Sequence, residues 1–167
     1  MIKQSIIENV IEAALSTGGD FAEVFVEDRY ANTLALQDNK IEKSISGRDF
    51  GIGIRIFSGL QNVYTYTTDF SEEGLVKAAK KAALAIKGGG SGTIHPLQKE
   101  IIMPIHTIAQ MPKTVKHGQR AAVMKSANDI ARNYDERIRQ VGLRYIDEEQ
   151  NILIANSEGK FVEDTRV

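Results

Sequence analysis

Phe50, Ile52, Ile54 and Ile56 alternate with Gly51, Gly53, Arg55 and Phe57. A period of two sends successive side chains to opposite faces, so the segment predicts a half-buried strand with an apolar inner face. Two glycines on the outer face predict close packing there, because Gly otherwise weakens a strand. After a Ser58-Gly59 turn, residues 62–68 (NVYTYTT) hold the β-branched and aromatic residues that suit a pleated surface. Together they predict a hairpin in the middle of a sheet.

Upstream the period changes. Ile6, Ile7, Val10, Ile11, Ala14 and Leu15 recur at helical spacing, and Ser5 with Glu8 matches a capping box. Gly18-Gly19 predicts the stop. Residues 21–28 alternate again, and Ala22, Val24 and Val26 are the better inner face because that choice hides no carboxylate. Residues 33–37 and 40–46 read as two further strands about an Asp38-Asn39 turn. The sum is an antiparallel meander of about five strands.

Ser71-Glu72-Glu73 opens a second helix, with a capping hydroxyl followed by carboxylates where the helix dipole is positive. Leu75, Ala79, Ala82, Ala83 and Ile86 trace its buried stripe. Lys77, Lys80, Lys81 and Lys87 read as its solvated side rather than as a basic patch. Gly88 to Gly92 reads as a flexible linker. Between Pro96 and Pro112 the chain is irregular, and Ile101, Ile102, Met103 and Ile105 are expected to pin it to the body. A third helix is expected over residues 115–134, with Val123, Ala127, Ile130, Ala131 and Tyr134 inward. Residues 138–147 and 151–155 read as a second hairpin, closed by Asp147-Glu148-Glu149-Gln150. Asn156-Ser157-Glu158-Gly159 is a turn signal before a last strand from Phe161. That strand reads as unpaired, which native domains avoid, so a piece of a longer protein is expected.

The fold class that emerges is α+β: an antiparallel sheet of about five strands packed with amphipathic helices, plus a smaller unit of helix and antiparallel hairpin. The expected division is residues 1–87 as helix, meander and helix, 88–114 as connection, and 115–167 as helix plus strands, continuing into a missing C-terminal domain.

Composition narrows the function. With 42% hydrophobic and 26% charged residues over 167 positions, the chain belongs among globular proteins that bury a core. A formal net charge of −1 gives no electrostatic case for nucleic acid or for a membrane surface. No apolar run nears the ~20 residues needed to span a bilayer, and the N-terminus lacks a secretory pattern. The absence of Cys excludes disulfides and thiolate metal sites and fits a cytoplasmic protein.

Candidate chemistry is sparse. His95, His106 and His117 are scattered, and none has a partner at the i, i+4 spacing of a helical metal site. No G-x-S-x-G occurs, the Gly88–Gly92 run lacks the residues of a phosphate loop, and Gly51-x-Gly53 is no dinucleotide fingerprint. Glu72/Glu73 and Glu148/Glu149 have structural explanations. The candidate interaction surface is Arg55 with Tyr64 and Tyr66, where a cation–π contact competes with contact to a ligand. No catalytic and no metal residue is assigned.

Several segments taken in order resemble a known family. They are Gly18-Gly19-Asp20-Phe21-Ala22-Glu23-Val24-Phe25-Val26-Glu27-Asp28, Asn39-Lys40-Ile41-Glu42, Gly51-Ile52-Gly53-Ile54-Arg55 and Tyr64-Thr65-Tyr66-Thr67-Thr68-Asp69. After the Lys/Ala-rich helix come Ala155-Asn156-Ser157-Glu158-Gly159 and Asp164-Thr165-Arg166. Over nearly the whole chain this is similar to the N-terminal domain of the TldD/PmbA family, also called modulators of DNA gyrase, and it leans to the TldD branch. The resemblance implies a parent zinc metallopeptidase, cytoplasmic, that degrades unfolded or leader peptides as a dimer with a second TldD- or PmbA-like subunit. It implies a zinc site on an H-E-x-x-x-H helix in the C-terminal peptidase domain. That motif is not in this sequence, so the chain is expected to hold no cofactor and to be inactive alone, serving as scaffold, cavity wall and dimerisation domain. The alternative is a non-catalytic module that captures extended peptides at a sheet edge. Direct action on DNA is disfavoured by the near-neutral charge.

Overall fold

A computed structural model of the chain describes residues 2–86, 90, 92–103 and 107–167. Lys87, Gly88, Gly89, Ser91, Ile105 and His106 lie outside the described residues, so most of the expected linker does too. The elements run α1 (Gln4–Leu15), β1 (Phe21–Gln37), β2 (Lys40–Ser58), β3 (Gln61–Thr67), α2 (Glu72–Ala83) and β4 (Gln98–Glu100). A 3-10 turn (Pro112–Thr114) precedes α3 (His117–Tyr134), and β5 (Gly142–Asn156) and β6 (Lys160–Arg166) follow. The strands form one mixed six-stranded sheet in the order β3-β2-β1-β5-β6-β4. Its β2–β3 pair is antiparallel and its β4–β6 pair parallel. The α+β class holds.

The chain divides into two compact units, one of Met1–Asp28, Phe50–Pro104 and Asn151–Thr165, the other of Arg29–Asp49, Ile105–Gln150 and Arg166–Val167. In the first, α1 and α2 bury their apolar stripes with one face of the strands. Ile7, Val10, Ile11, Leu75 and Ala79 share a core with Ala22, Val24, Val26, Ile52, Ile54 and Ile56. The alternation argument therefore selects the right face of both strands. Ser71 Oγ accepts the Gly74 N–H at 3.0 Å, so the cap of α2 is as expected. The capping box of α1 is not: the helix starts with Gln4 and is capped by Lys3, which places Ser5 inside the first turn. Glu8 instead accepts a hydrogen bond from Gln4 Nε2 at 3.0 Å.

The sheet departs from the meander in strand length. Residues 21–37 are one strand, and so are residues 40–58, joined by Asp38 and Asn39 at φ 46° and 68°. Two successive positive φ values are what a two-residue hairpin turn requires, and Asx residues tolerate them. The polar stretches between the apolar runs read as breaks but are cross-linked strand. In the second unit Arg29 pairs with Asp49 at 3.1 Å and with Glu148 at 2.5 Å. Ser46 Oγ donates to Asn32 at 2.7 Å, and Arg48 lies 5.1 Å from the Tyr30 ring centroid.

The expected second hairpin is likewise one strand, β5. Asp147, Glu148 and Glu149 make no turn because each carboxylate finds a cation, Arg120, Arg29 and Lys113 respectively. The Asn156–Gly159 turn is present, with Gly159 at φ 94° and Asn156 Oδ1 accepting from the Glu158 and Lys160 N–H groups. β6 is not unpaired, since it lies between β5 and β4. Ile101 and Met103, expected to pin the connection, are 89% and 84% exposed.

The largest departure is α3. It buries Arg120, Met124 and Asn128, whereas Val123, Ile130 and Tyr134, expected inward, face water. Arg120 decides the rotation. A guanidinium is withdrawn only into a place that satisfies its donors. Here Nε reaches Asp147 at 2.6 Å, Nη1 the Val115 carbonyl at 2.5 Å and Nη2 the Pro112 carbonyl at 2.6 Å.

Candidate functional site

The outer face of the first unit's β2–β3 hairpin carries the three residues singled out in the sequence. Arg55 stands opposite Tyr64, and Gly53 opposite Tyr66. The Arg55 guanidinium carbon lies 5.4 Å from the Tyr64 ring centroid, within cation–π reach. A Cβ on Gly53 would meet the Tyr64 hydroxyl at 2.5 Å. The Tyr64 ring therefore lies across the bare backbone of Gly53, the close packing expected there, whereas a Cβ on Gly51 would meet only the Thr67 carbonyl at an ordinary 3.6 Å. Tyr66 points outward and is 75% exposed. Phe21 and Phe57 meet nearby with ring centroids 5.9 Å apart. The face is aromatic, carries one cation and is open.

The hairpin is not at the middle of the sheet, because β3 is an end strand. A middle position needs two long flanking strands, and only β2 is supplied. Ser58 and Gln61 face each other across a Gly59-Leu60 loop with Gly59 at φ 55°. A two-residue loop makes that the closing hydrogen-bonded pair. Alternation along the ladder then turns the backbone N–H and C=O groups of Asn62, Tyr64 and Tyr66 away from β2. Residues 61–67 carry no charge and no proline, the usual devices that blunt such an edge.

The titratable residues with displaced pKa values lie mainly elsewhere. In the second unit, burial pushes the Asp147 carboxyl up, but hydrogen bonds from Arg120, Asn32 and Tyr145 outweigh it and hold it below the ordinary value. Burial and the bond to Asp147 raise the Tyr145 phenol. A hydrogen bond from Arg29 lowers Glu148 against a smaller burial effect. These groups are satisfied by each other. Asp147 accepts from Arg120 and Tyr145 on one oxygen and from Asn32 on the other, which describes an anchor rather than a proton-transfer group.

His95 lines a cleft of the first unit with Gln98, Asn156 and Lys160. His117 opens α3. Among the described residues no group of three or more His, Cys, Asp or Glu is placed to hold a metal ion. No described helix is long and apolar enough to cross a membrane.

Two family models match the chain in tandem: PmbA/TldA metallopeptidase domain 1 over residues 22–93, and the PmbA/TldA metallopeptidase central domain over residues 111–167. A metalloprotease TldD homolog of Buchnera aphidicola is 26% identical over 147 residues, covering 88% of this chain and 30% of that protein. Among solved structures, a candidate modulator of DNA gyrase from Thermotoga maritima superposes with a TM-score of 0.73 at 16% identity, over 97% of this chain and 37% of that one. TldE from Thermococcus kodakarensis gives 0.69 at 16%, over 96% and 36%. At such identities the structural likeness is one of fold. The chain spans about a third of the length of each.

Proposed function

This chain belongs to the PmbA/TldD metallopeptidase family, and on that premise we propose that it is the scaffold of a TldD-like zinc metallopeptidase. In this reading it walls the chamber that receives unfolded or leader peptides in the cytoplasm, and it builds the dimer with a TldD- or PmbA-like subunit. Hydrolysis belongs to polypeptide outside residues 1–167. The tandem match to a first and a central metallopeptidase domain carries the reading. Zinc in such an enzyme polarises the scissile carbonyl and acidifies a bound water. The described residues do not fit that ion, so no step of the reaction is assigned to them. Arg55, Tyr64 and Tyr66 are the residues we place toward the peptide. The test is elemental analysis and peptide hydrolysis by the purified chain with added zinc. We expect no cleavage and no stoichiometric metal; cleavage with one zinc per chain overturns the proposal.

A second reading, a peptide-binding module, is favoured by one observation: the uncharged edge strand β3 ends the sheet. An extended peptide adding there would take its main-chain bonds from Asn62, Tyr64 and Tyr66. Titration of the isotope-labelled chain with unstructured peptides separates the two. Saturable shifts along residues 61–67 favour the module, and unchanged spectra remove it.

A further inference from the structure

The cleft that His95 lines in the first unit lies where β6 runs beside β4, and its volume is about 330 Å³. Two backbone segments tied to each other wall it. His95 N–H donates to the Ser157 carbonyl at 2.9 Å, and Gln98 N–H to the Gly159 carbonyl at 2.7 Å. Gly159 permits the approach, since a Cβ there would stand 2.9 Å from the Pro96 carbonyl oxygen. The parallel register sets Gln98 beside Lys160 and Glu100 beside Val162, so alternation puts Gln98, Glu100 and Lys160 on one face. Lys99 turns to the other face and pairs with Glu163 at 2.6 Å.

Asn156 gives the cleft a withdrawn donor. It lines the cleft and is 8% exposed. Its Oδ1 accepts from the Glu158 and Lys160 N–H groups at 3.1 Å each, which fixes the orientation of the amide. Nδ2 is the polar atom left over, and it has no hydrogen-bond partner among the described residues. An amide donor taken from water and given no acceptor costs free energy, which a ligand oxygen would restore. Around it Lys160, Glu100 and Glu158 form no ion pair among the described residues.

We propose that this cleft binds a small zwitterion, a free α-amino acid or a dipeptide. Asn156 Nδ2 and Lys160 Nζ take the carboxylate, and Glu100 and Glu158 take the ammonium, in charge-assisted hydrogen bonds. One ammonium against two carboxylates in the lining disfavours a simple anion. A simple cation would leave the Asn156 N–H groups unanswered. The volume is at the low end of small-molecule pockets, which run from roughly 300 to 1,000 Å³, so it suits one or two residues and not an extended segment. The strand order puts the cleft at the opposite end of the sheet from β3. It is therefore separate from the surface placed toward the peptide, and neither reading of the function depends on it.

NMR titration of the isotope-labelled 167-residue chain tests the site, with glycine, glycylglycine, acetate and methylammonium added at constant ionic strength. Glycine or glycylglycine is expected to give saturable shifts of the Asn156 side-chain N–H2 and of the Gly159 and Lys160 amides, and the tighter of the two sets the ligand's length. Acetate and methylammonium should bind at least tenfold more weakly. Asn156→Asp keeps the oxygen that caps the turn and removes the donor, so it should weaken binding at least tenfold. Lys160→Met, which leaves the turn untouched, should do the same. Acetate binding as tightly as glycine and glycylglycine overturns the proposal, as does affinity unchanged in both variants. Spectra without saturable shifts at these residues overturn it too, and leave the scaffold function standing on its own test.

Discussion

Arg120 Nε donates to Asp147 Oδ2 at 2.6 Å, and the two side chains are 3% and 13% exposed. The pair joins the start of α3 to β5 within one unit, and Tyr145 and Asn32 complete it. Breaking one side of a withdrawn ion pair leaves an uncompensated charge, which typically costs about 3–5 kcal/mol. Arg120→Ala and Asp147→Ala should each destabilise the second unit on that scale in urea unfolding. The double variant Arg120→Met/Asp147→Leu should cost much less than the sum of the singles. Additive costs would show that the two residues act separately.

The same cluster sets a pH window. Asp147 titrates below its ordinary 3.8, so the folded chain binds its proton less readily than the unfolded chain does. Its contribution is complete above that value and is lost as pH falls through the lower, folded pKa. Tyr145 titrates above its ordinary 10.0, so its contribution is complete below that value and is lost as pH rises through the folded pKa. Urea midpoints should fall at both extremes, and Asp147→Asn should flatten the acid limb. An acid limb unchanged in that variant would sink the assignment.

Gly53 and Tyr64 are predicted to be coupled. Any side chain at Gly53 collides with the Tyr64 ring, which has to swing away and give up Arg55. Gly53→Ala should cost about 1 kcal/mol, at the low end for overpacking because the ring is free to move into solvent. In a Tyr64→Ala background the same change should be neutral or stabilising, since Ala holds a strand better than Gly. A cost that survives in that background would place the obstruction elsewhere.

Rotation of α3 makes a contrast between neighbours. Met124 is 3% exposed and Val123 62%. Met124→Ala should lose about 2 kcal/mol, the low end for a truncated core side chain, in so small a cluster. Val123→Ala should stay within about 0.5 kcal/mol. The reverse order, read from thermal unfolding, would return the helix to the orientation its apolar pattern suggests.

The cap of α2 gives a smaller effect. Asp69 accepts from the Ser71 N–H at 2.9 Å and from its hydroxyl at 2.7 Å, while Ser71 Oγ accepts from Gly74. Ser71→Ala should cost about 1 kcal/mol. The Asp69 carboxyl, held low by those two bonds, should then titrate higher by NMR. An unmoved Asp69 would mean that the hydroxyl bond contributes nothing.

By itself the chain of residues determined whatever depends on neighbours along the chain. Alternation from Phe50 to Phe57 and the helical spacing from Leu75 to Ile86 named the core of the first unit. Asp38-Asn39 and Gly159 marked turns whose backbone angles few other residues accept. Strand period together with the short Gly59-Leu60 loop puts Arg55, Tyr64 and Tyr66 on one face, so that their grouping was legible too. Only the tertiary structure decided that Asp147, Glu148 and Glu149 continue a strand, that β3 ends the sheet, and that α3 turns its apolar stripe to water. A local pattern weighs each carboxylate or guanidinium as exposed. Its true placement depends on a partner of opposite charge, and Glu148 stands 119 residues from Arg29 in sequence.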